Sequence, residues 1–182
     1  MSSTIRRKNP AALIEGHLGE IRKSLSGCSG QIERAIEVLR CLRLRQGTLW
    51  VLGNGGSMAI AQHFAQDMLK MRGLRAQAVN CPSILTAYTN DSSFENCFSL
   101  PLEVLRADGD VLMVFSCSGK SRNYGWMADG RTSPMIAVVG CDGGFLKSAA
   151  DVCVHVKSEN YQVCETAFSV VSDILNIGLG EI

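Results

Sequence analysis

Two short stretches concentrate the residues best suited to holding an anion. Ser116, Ser118 and Ser121 stand together with Cys117, Gly119 and Lys120 between them, just after the apolar run Val111–Phe115. Gly53-Asn54-Gly55-Gly56-Ser57 follows a second apolar run, Thr48–Leu52, and opens a helical pattern that runs to about Met71. Both apolar runs read as buried strands. In open α/β sheets ligands gather at the carboxyl ends of strands. A helix that starts there offers unpaired N–H groups and a partial positive charge, which suits phosphate. The serine hydroxyls add donors, and Lys120 adds a full charge if it turns inward rather than to solvent. Either loop alone is an ordinary strand-to-helix turn. The two on one sheet predict a phosphorylated ligand.

Nucleotide motifs fit neither loop. The dinucleotide fingerprint needs a third glycine where Met58 stands, and a P-loop needs glycine where Val114 stands. No nucleotide cofactor is expected. Two further pairs carry chemistry through helical spacing. His63 and Asp67 are i, i+4 and share one helix face. Glu165 and Asp173 are i, i+8, which at about 100° per residue leaves them within about 80° of each other.

The elements that must position these groups follow from periodicity. Pro10–Leu25 and Gln31–Arg45 have apolar residues at helical spacing and are separated by a Gly27–Gly30 turn, so residues 1–46 read as a helical hairpin. Residues 47–182 alternate strands with helices. Ala76–Asn80, Met135–Val139 and Val152–Val156 are further strands, Pro82–Tyr88 is a short helix or turn, and Leu100–Arg106 and Val163–Leu179 are helices. That alternation predicts one α/β domain, a three-layer sandwich around a central parallel sheet, with the hairpin added at its start.

Composition narrows the class. The 182 residues include 46% hydrophobic and 19% charged residues and carry a net charge of +1. Extensive disorder is excluded, and so is nucleic-acid binding driven by overall charge. The charge is uneven, +5 over residues 1–46 and −4 over the rest, which solvated helix faces explain most simply. No apolar run approaches the ~20 residues of a membrane span, and Met1–Pro10 is not a secretory signal. Eight cysteines with no CxxC pair point to a reduced, cytoplasmic protein rather than a disulfide or zinc-ribbon scaffold.

Five motifs in order resemble one family. The Gly53–Ser57 loop, then Ala61-Gln62-His63-Phe64-Ala65-Gln66-Asp67, Thr89-Asn90-Asp91, Ser116–Ser121 and Gly140–Gly144, followed by the closing helix, are similar to the sugar isomerase (SIS) domain of phosphoheptose isomerases. The resemblance spans about residues 10–180. It implies a flavodoxin-like SIS sandwich and a cytoplasmic homotetramer whose sites lie between subunits. It also implies interconversion of sedoheptulose 7-phosphate and a heptose 7-phosphate. By similarity, Ser116, Ser118 and Ser121 hold the phosphate, with Cys117 where threonine is usual. Asn54, Gly55, Gly56, Ser57, Asn90 and Asp91 line the sugar.

Moving a carbonyl between C1 and C2 needs a base that carries a proton through an enediol, and an acid for the oxygen. The resemblance assigns the base to Asp67, where the family usually has glutamate. It assigns the acid to Asp173, where histidine is usual; a one-residue shift would put Ser172 there. His63 and Glu165 then orient substrate, or join Asp67 and Asp173 around Zn²⁺ or another divalent metal. The missing histidine leaves a second reading open. In it the chain is a non-catalytic phosphosugar sensor, or contacts a protein such as the replication initiator through Arg40, Arg43 and Arg45.

Overall fold

The computed structural model describes residues 9–129 and 131–180. Residues 1–8 of the expected hairpin, with Arg6, Arg7 and Lys8 of its basic charge, and Gly130 lie outside the described residues. The chain opens with two helices, α1 (Pro10–Ser24) and α2 (Ser29–Leu44). Asn9 caps α1 by accepting from the Ala11 N–H, and Pro10 occupies the first turn, where it loses no hydrogen bond. The core follows as β1 (Leu49–Gly53), α3 (Gly56–Arg72), β2 (Ala76–Ala78), α4 (Pro82–Asp91) and α5 (Ser99–Leu105). It continues with β3 (Val111–Ser116), α6 (Trp126–Asp129), β4 (Met135–Val139), α7 (Gly144–Ala149), β5 (Val152–His155) and α8 (Tyr161–Gly178).

All five strands are parallel, in the order β2-β1-β3-β4-β5. This is the flavodoxin-like order, in which the chain reverses direction across the sheet between β1 and β3. Alternate residues of each strand face opposite sides, and the two cores divide accordingly. Leu49, Val51, Met113, Phe115, Ile136 and Val138 pack against α2, α3 and α8. Trp50, Leu52, Leu112, Val114, Ala137 and Val139 pack against α5, α6 and α7. The expected three-layer sandwich is the observed one. Most element boundaries shift from expectation by one or two residues, and two of the shifts bear on the sheet edge and the site. β2 is an edge strand of three residues rather than five, and α4 runs on to Asp91, which puts Asn90 and Asp91 on its last turn.

The hairpin packs on α8 and β5, and its basic residues are used there. Arg40 donates to the Gly178 carbonyl at 2.8 Å and Arg43 to the Leu179 and Arg72 carbonyls at 3.5 Å. Arg72 in turn donates to Asn176 and to the Gly180 carbonyl. These guanidiniums satisfy the orphan carbonyls at the ends of α8 and α3, where positive charge is favoured. Arg40 and Arg43 are thus engaged in capping helix ends.

Buried Asp110 ties the sheet's other end together. Its carboxylate accepts from the Thr48 N–H at 2.7 Å and from the Trp50 indole and Ala107 N–H at 2.9 Å each. Burial pushes this carboxyl up, but the three donors, helped by Arg75, outweigh it and hold it below the usual range. Its stabilising contribution is complete above the unfolded pKa of about 3.9 and disappears as pH falls through the lower folded value. Asp110→Ala leaves those donors unpaired and is expected to cost about 3 kcal/mol in urea unfolding at pH 7. The difference from wild type should shrink below about pH 4.

Candidate active site

The reversal in strand order opens a crevice between the β1 and β3 loops. A cleft of about 130 Å³ lies there, lined by Ser116, Cys117, Ser118 and Ser121 from one loop and by Asn54 and Ser57 from the other. Phe115 and Tyr124 form its inner wall, and Tyr161 and Glu165 reach it from the start of α8.

The serine loop is shaped from within and clamped from outside. Ser116 Oγ accepts from the Gly119 N–H at 3.1 Å, and Ser118 Oγ from the Lys120 N–H at 3.2 Å. Gly119 takes a left-handed φ of +63°, and a Cβ there would collide with the Gly143 carbonyl. Gly144 is crowded in the same way by the Gly119 carbonyl. The serine loop and the loop after β4 therefore dock backbone to backbone. Lys120 does not line the cleft; it pairs with Asp142 of that neighbouring loop at 2.6 Å.

The first glycine loop is held by reciprocal amides. Asn54 Nδ2 donates to Asn123 Oδ1 and Asn123 Nδ2 to Asn54 Oδ1, each at 3.0 Å. Gly55 takes a left-handed φ of +55° before α3 begins. At Gly56 a Cβ would lie 2.7 Å from the Glu165 carboxyl carbon, so the bare glycine is the seat of that carboxylate. The positive end of α3 suits a negative group there.

Cys117 forms part of the cleft floor. Burial pushes its thiol up to about 12, with further upward push from Cys164 and Glu165, so it stays a neutral thiol at physiological pH. Tyr124 fills the core, stacked on Phe98 with centroids 5.7 Å apart, and also walls the cleft. Its buried hydroxyl and the Trp126 indole N–H have no hydrogen-bond partner among the described residues.

A second cleft of about 280 Å³ lies farther along α3 and α8 and is lined by His63, Phe64, Asp67, Ser169, Ser172 and Asp173. Half-buried Asp67 approaches His63 Nε2 at 3.5 Å and accepts from Gln66 at 3.1 Å. Ser172 spends its hydroxyl on the Phe168 carbonyl, which leaves Asp173 as the free oxygen group of α8 in this cleft.

The structure thus groups the expected residues in two sets. Asn54, Ser57, Ser116, Cys117, Ser118, Ser121 and Glu165 share the first cleft; His63, Asp67 and Asp173 share the second. Asn90 and Asp91 bond each other at 2.8 Å on the exposed end of α4, away from both clefts. The four-residue metal set does not come together within one chain. Among the described residues no group of three or more His, Cys, Asp or Glu side chains is placed to hold a metal. Sequence reasoning passed over Tyr161 and Asn123. Neither belongs to a motif, and both reach the site through the fold alone.

No family model matches the chain. It is similar to curated proteins of known name. One is the phosphoheptose isomerase of Geotalea uraniireducens, 40% identical over 160 residues that cover 81% of this chain and 85% of that one. Another is the phosphoheptose isomerase of Helicobacter pylori, 33% identical over 154 residues that cover 79% and 80%. Among solved structures, phosphoheptose isomerase from Neisseria gonorrhoeae superimposes with a TM-score of 0.85 at 28% identity, covering 93% of this chain and 95% of that one.

Proposed function

The chain belongs to the phosphoheptose isomerase family, and on that premise we propose that it interconverts sedoheptulose 7-phosphate and an aldose heptose 7-phosphate. The observation that carries this reading is the clamped serine loop at the sheet's reversal point, facing the amino end of α3. Its serine hydroxyls offer donors to an anion, and among the described residues no cationic side chain lines it. Such a site suits a phosphate that is bound but not transferred.

From that anchor the sugar extends along the groove between α3 and α8. Asp173 lies about 12 Å beyond Glu165 along the helix axis, at eight residues of 1.5 Å each. An open seven-carbon chain directed that way brings C1 and C2 toward Asp67 and Asp173. Asp67 takes the carbon-bound proton beside the carbonyl and returns it to the neighbouring carbon. Asp173 gives a proton to the carbonyl oxygen and recovers one from the adjacent hydroxyl. The result is an enediol that collapses to the isomeric carbonyl. Because the described residues do not assemble a metal cage within the chain, no step is assigned to a metal.

The reading includes a homo-oligomer. Leu13, Ile14 and Leu18 leave an apolar face on α1 exposed, and the exposed Asn90 and Asp91 would serve the cleft of another copy. No helix among the described residues is long and apolar enough to cross a membrane.

Purified protein should convert sedoheptulose 7-phosphate into an aldose, followed by NMR, with deuterium from D₂O entering the product at C2. The proposal is overturned if the sugar binds and no isomer forms, with chelator or with added Zn²⁺ or Mn²⁺. Gly56→Ala tests the seat of Glu165. The added methyl is expected to displace the carboxylate and weaken sedoheptulose 7-phosphate binding by about tenfold in calorimetry, the loss of one charge-assisted hydrogen bond.

A further inference from the structure

Tyr161 is the first residue of α8, set at the cleft's rim by the Asn160 cap, which accepts from the Gln162 N–H at 2.9 Å. It lines the cleft, yet 55% of it is exposed. The chain's ring pairs are Phe64–Phe115, Phe98–Tyr124 and Phe115–Phe168 among the described residues, so Tyr161 has no aromatic partner. One helical turn on, Glu165 faces the same cleft. Its carboxylate makes no hydrogen bond or ion pair to a described side chain. A ring with a negative face beside an acceptor-only carboxylate matches the two surfaces of a sugar. Carbon-bound hydrogens carry a slight positive charge and suit the ring face. Hydroxyls are donors and suit the carboxylate.

We propose that Tyr161 is a specificity-determining residue of this cleft, its ring packing on the C–H face of the sugar while Glu165 accepts hydroxyls one turn behind it. This rests on the phosphosugar reading above, and the test separates the two. Wild type, Tyr161→Ala and Tyr161→Phe are titrated by calorimetry with sedoheptulose 7-phosphate and, separately, with inorganic phosphate. Tyr161→Ala is expected to weaken sugar phosphate binding by about tenfold and to leave inorganic phosphate binding and the melting temperature unchanged. Tyr161→Phe keeps the ring and should bind like wild type.

An unchanged sugar phosphate affinity in Tyr161→Ala overturns the inference. Equal weakening of both ligands also overturns it, since the residue would then act on the phosphate loop or the fold. A Tyr161→Phe variant as weak as Tyr161→Ala assigns the effect to the hydroxyl and overturns the ring's role. Wild type that binds inorganic phosphate but no sedoheptulose 7-phosphate overturns the phosphosugar reading itself, and the inference with it.

Discussion

Asp67→Asn is expected to slow isomerisation by at least 100-fold while binding sedoheptulose 7-phosphate within about threefold of wild type. Removing a positioned general base costs 10²–10⁴ in rate, and an amide cannot accept the carbon-bound proton. The substitution keeps the side chain's size, so Gln66 can still donate to Oδ1. Asp67 lies well along α3 from the serine loop, which preserves phosphate anchoring. Steady-state turnover and calorimetry on one preparation separate the two quantities. Asp67→Glu should retain turnover, since a longer carboxylate is usual at this position by family resemblance. An asparagine variant with more than a tenth of wild-type activity would place the base elsewhere.

Gly119→Ala is expected to be the most damaging single methyl. At φ +63° a side chain is strained, and the new Cβ runs into the Gly143 carbonyl, a backbone atom with no rotamer to escape through. Overpacking of this kind with backbone strain costs on the order of 3 kcal/mol. For a chain of this size that lowers the melting temperature by about 6–12 °C. If the loop gives way instead, stability survives and sugar phosphate binding falls by at least 100-fold. Wild-type melting together with wild-type binding would overturn the clamp. Gly19→Ala is the control. It lies inside α1, where a Cβ meets nothing within 4 Å, so it should stabilise by about 0.5–1 kcal/mol.

Much of this architecture was legible because local patterns and global packing agree. The apolar runs before Gly53 and Ser116 could only be buried strands, and glycine or serine after each marked the ligand end of the sheet. Leu49–Leu52 and Val111–Phe115 alternate between the two cores, so each strand reads as apolar throughout. Strand and helix ends were less legible. α4 outruns its expected end because nothing before Ser92 breaks the helix, and β2 stops early as a strand with a neighbour on one side only.

The contents of the site were legible only where a motif marked them. Lys120 sits in the serine loop by sequence but turns to Asp142, 22 positions later. Tyr161 and Asn123 carry no local signal, since their relevance depends on α8 and the segment after Ser121 folding back on the loops. Among its described residues that segment holds a short turn at Arg122–Tyr124 and the four-residue α6. The separation of Glu165 from Asp173 was hidden as well. Angular arithmetic places both on one side of a helix and ignores the axial distance between them.

The arginine caps carry a consequence for the order of events in time. Arg40 and Arg43 bond carbonyls 138 and 136 positions farther along the chain. During synthesis the hairpin therefore leaves the ribosome long before these carbonyls at the end of α8 exist, with only nearer contacts open to it, Arg40 to Glu37 and Arg43 to the Arg72 carbonyl. Closures of such span are slow steps in folding. The nascent protein thus carries its basic segment undocked until α8 has been made.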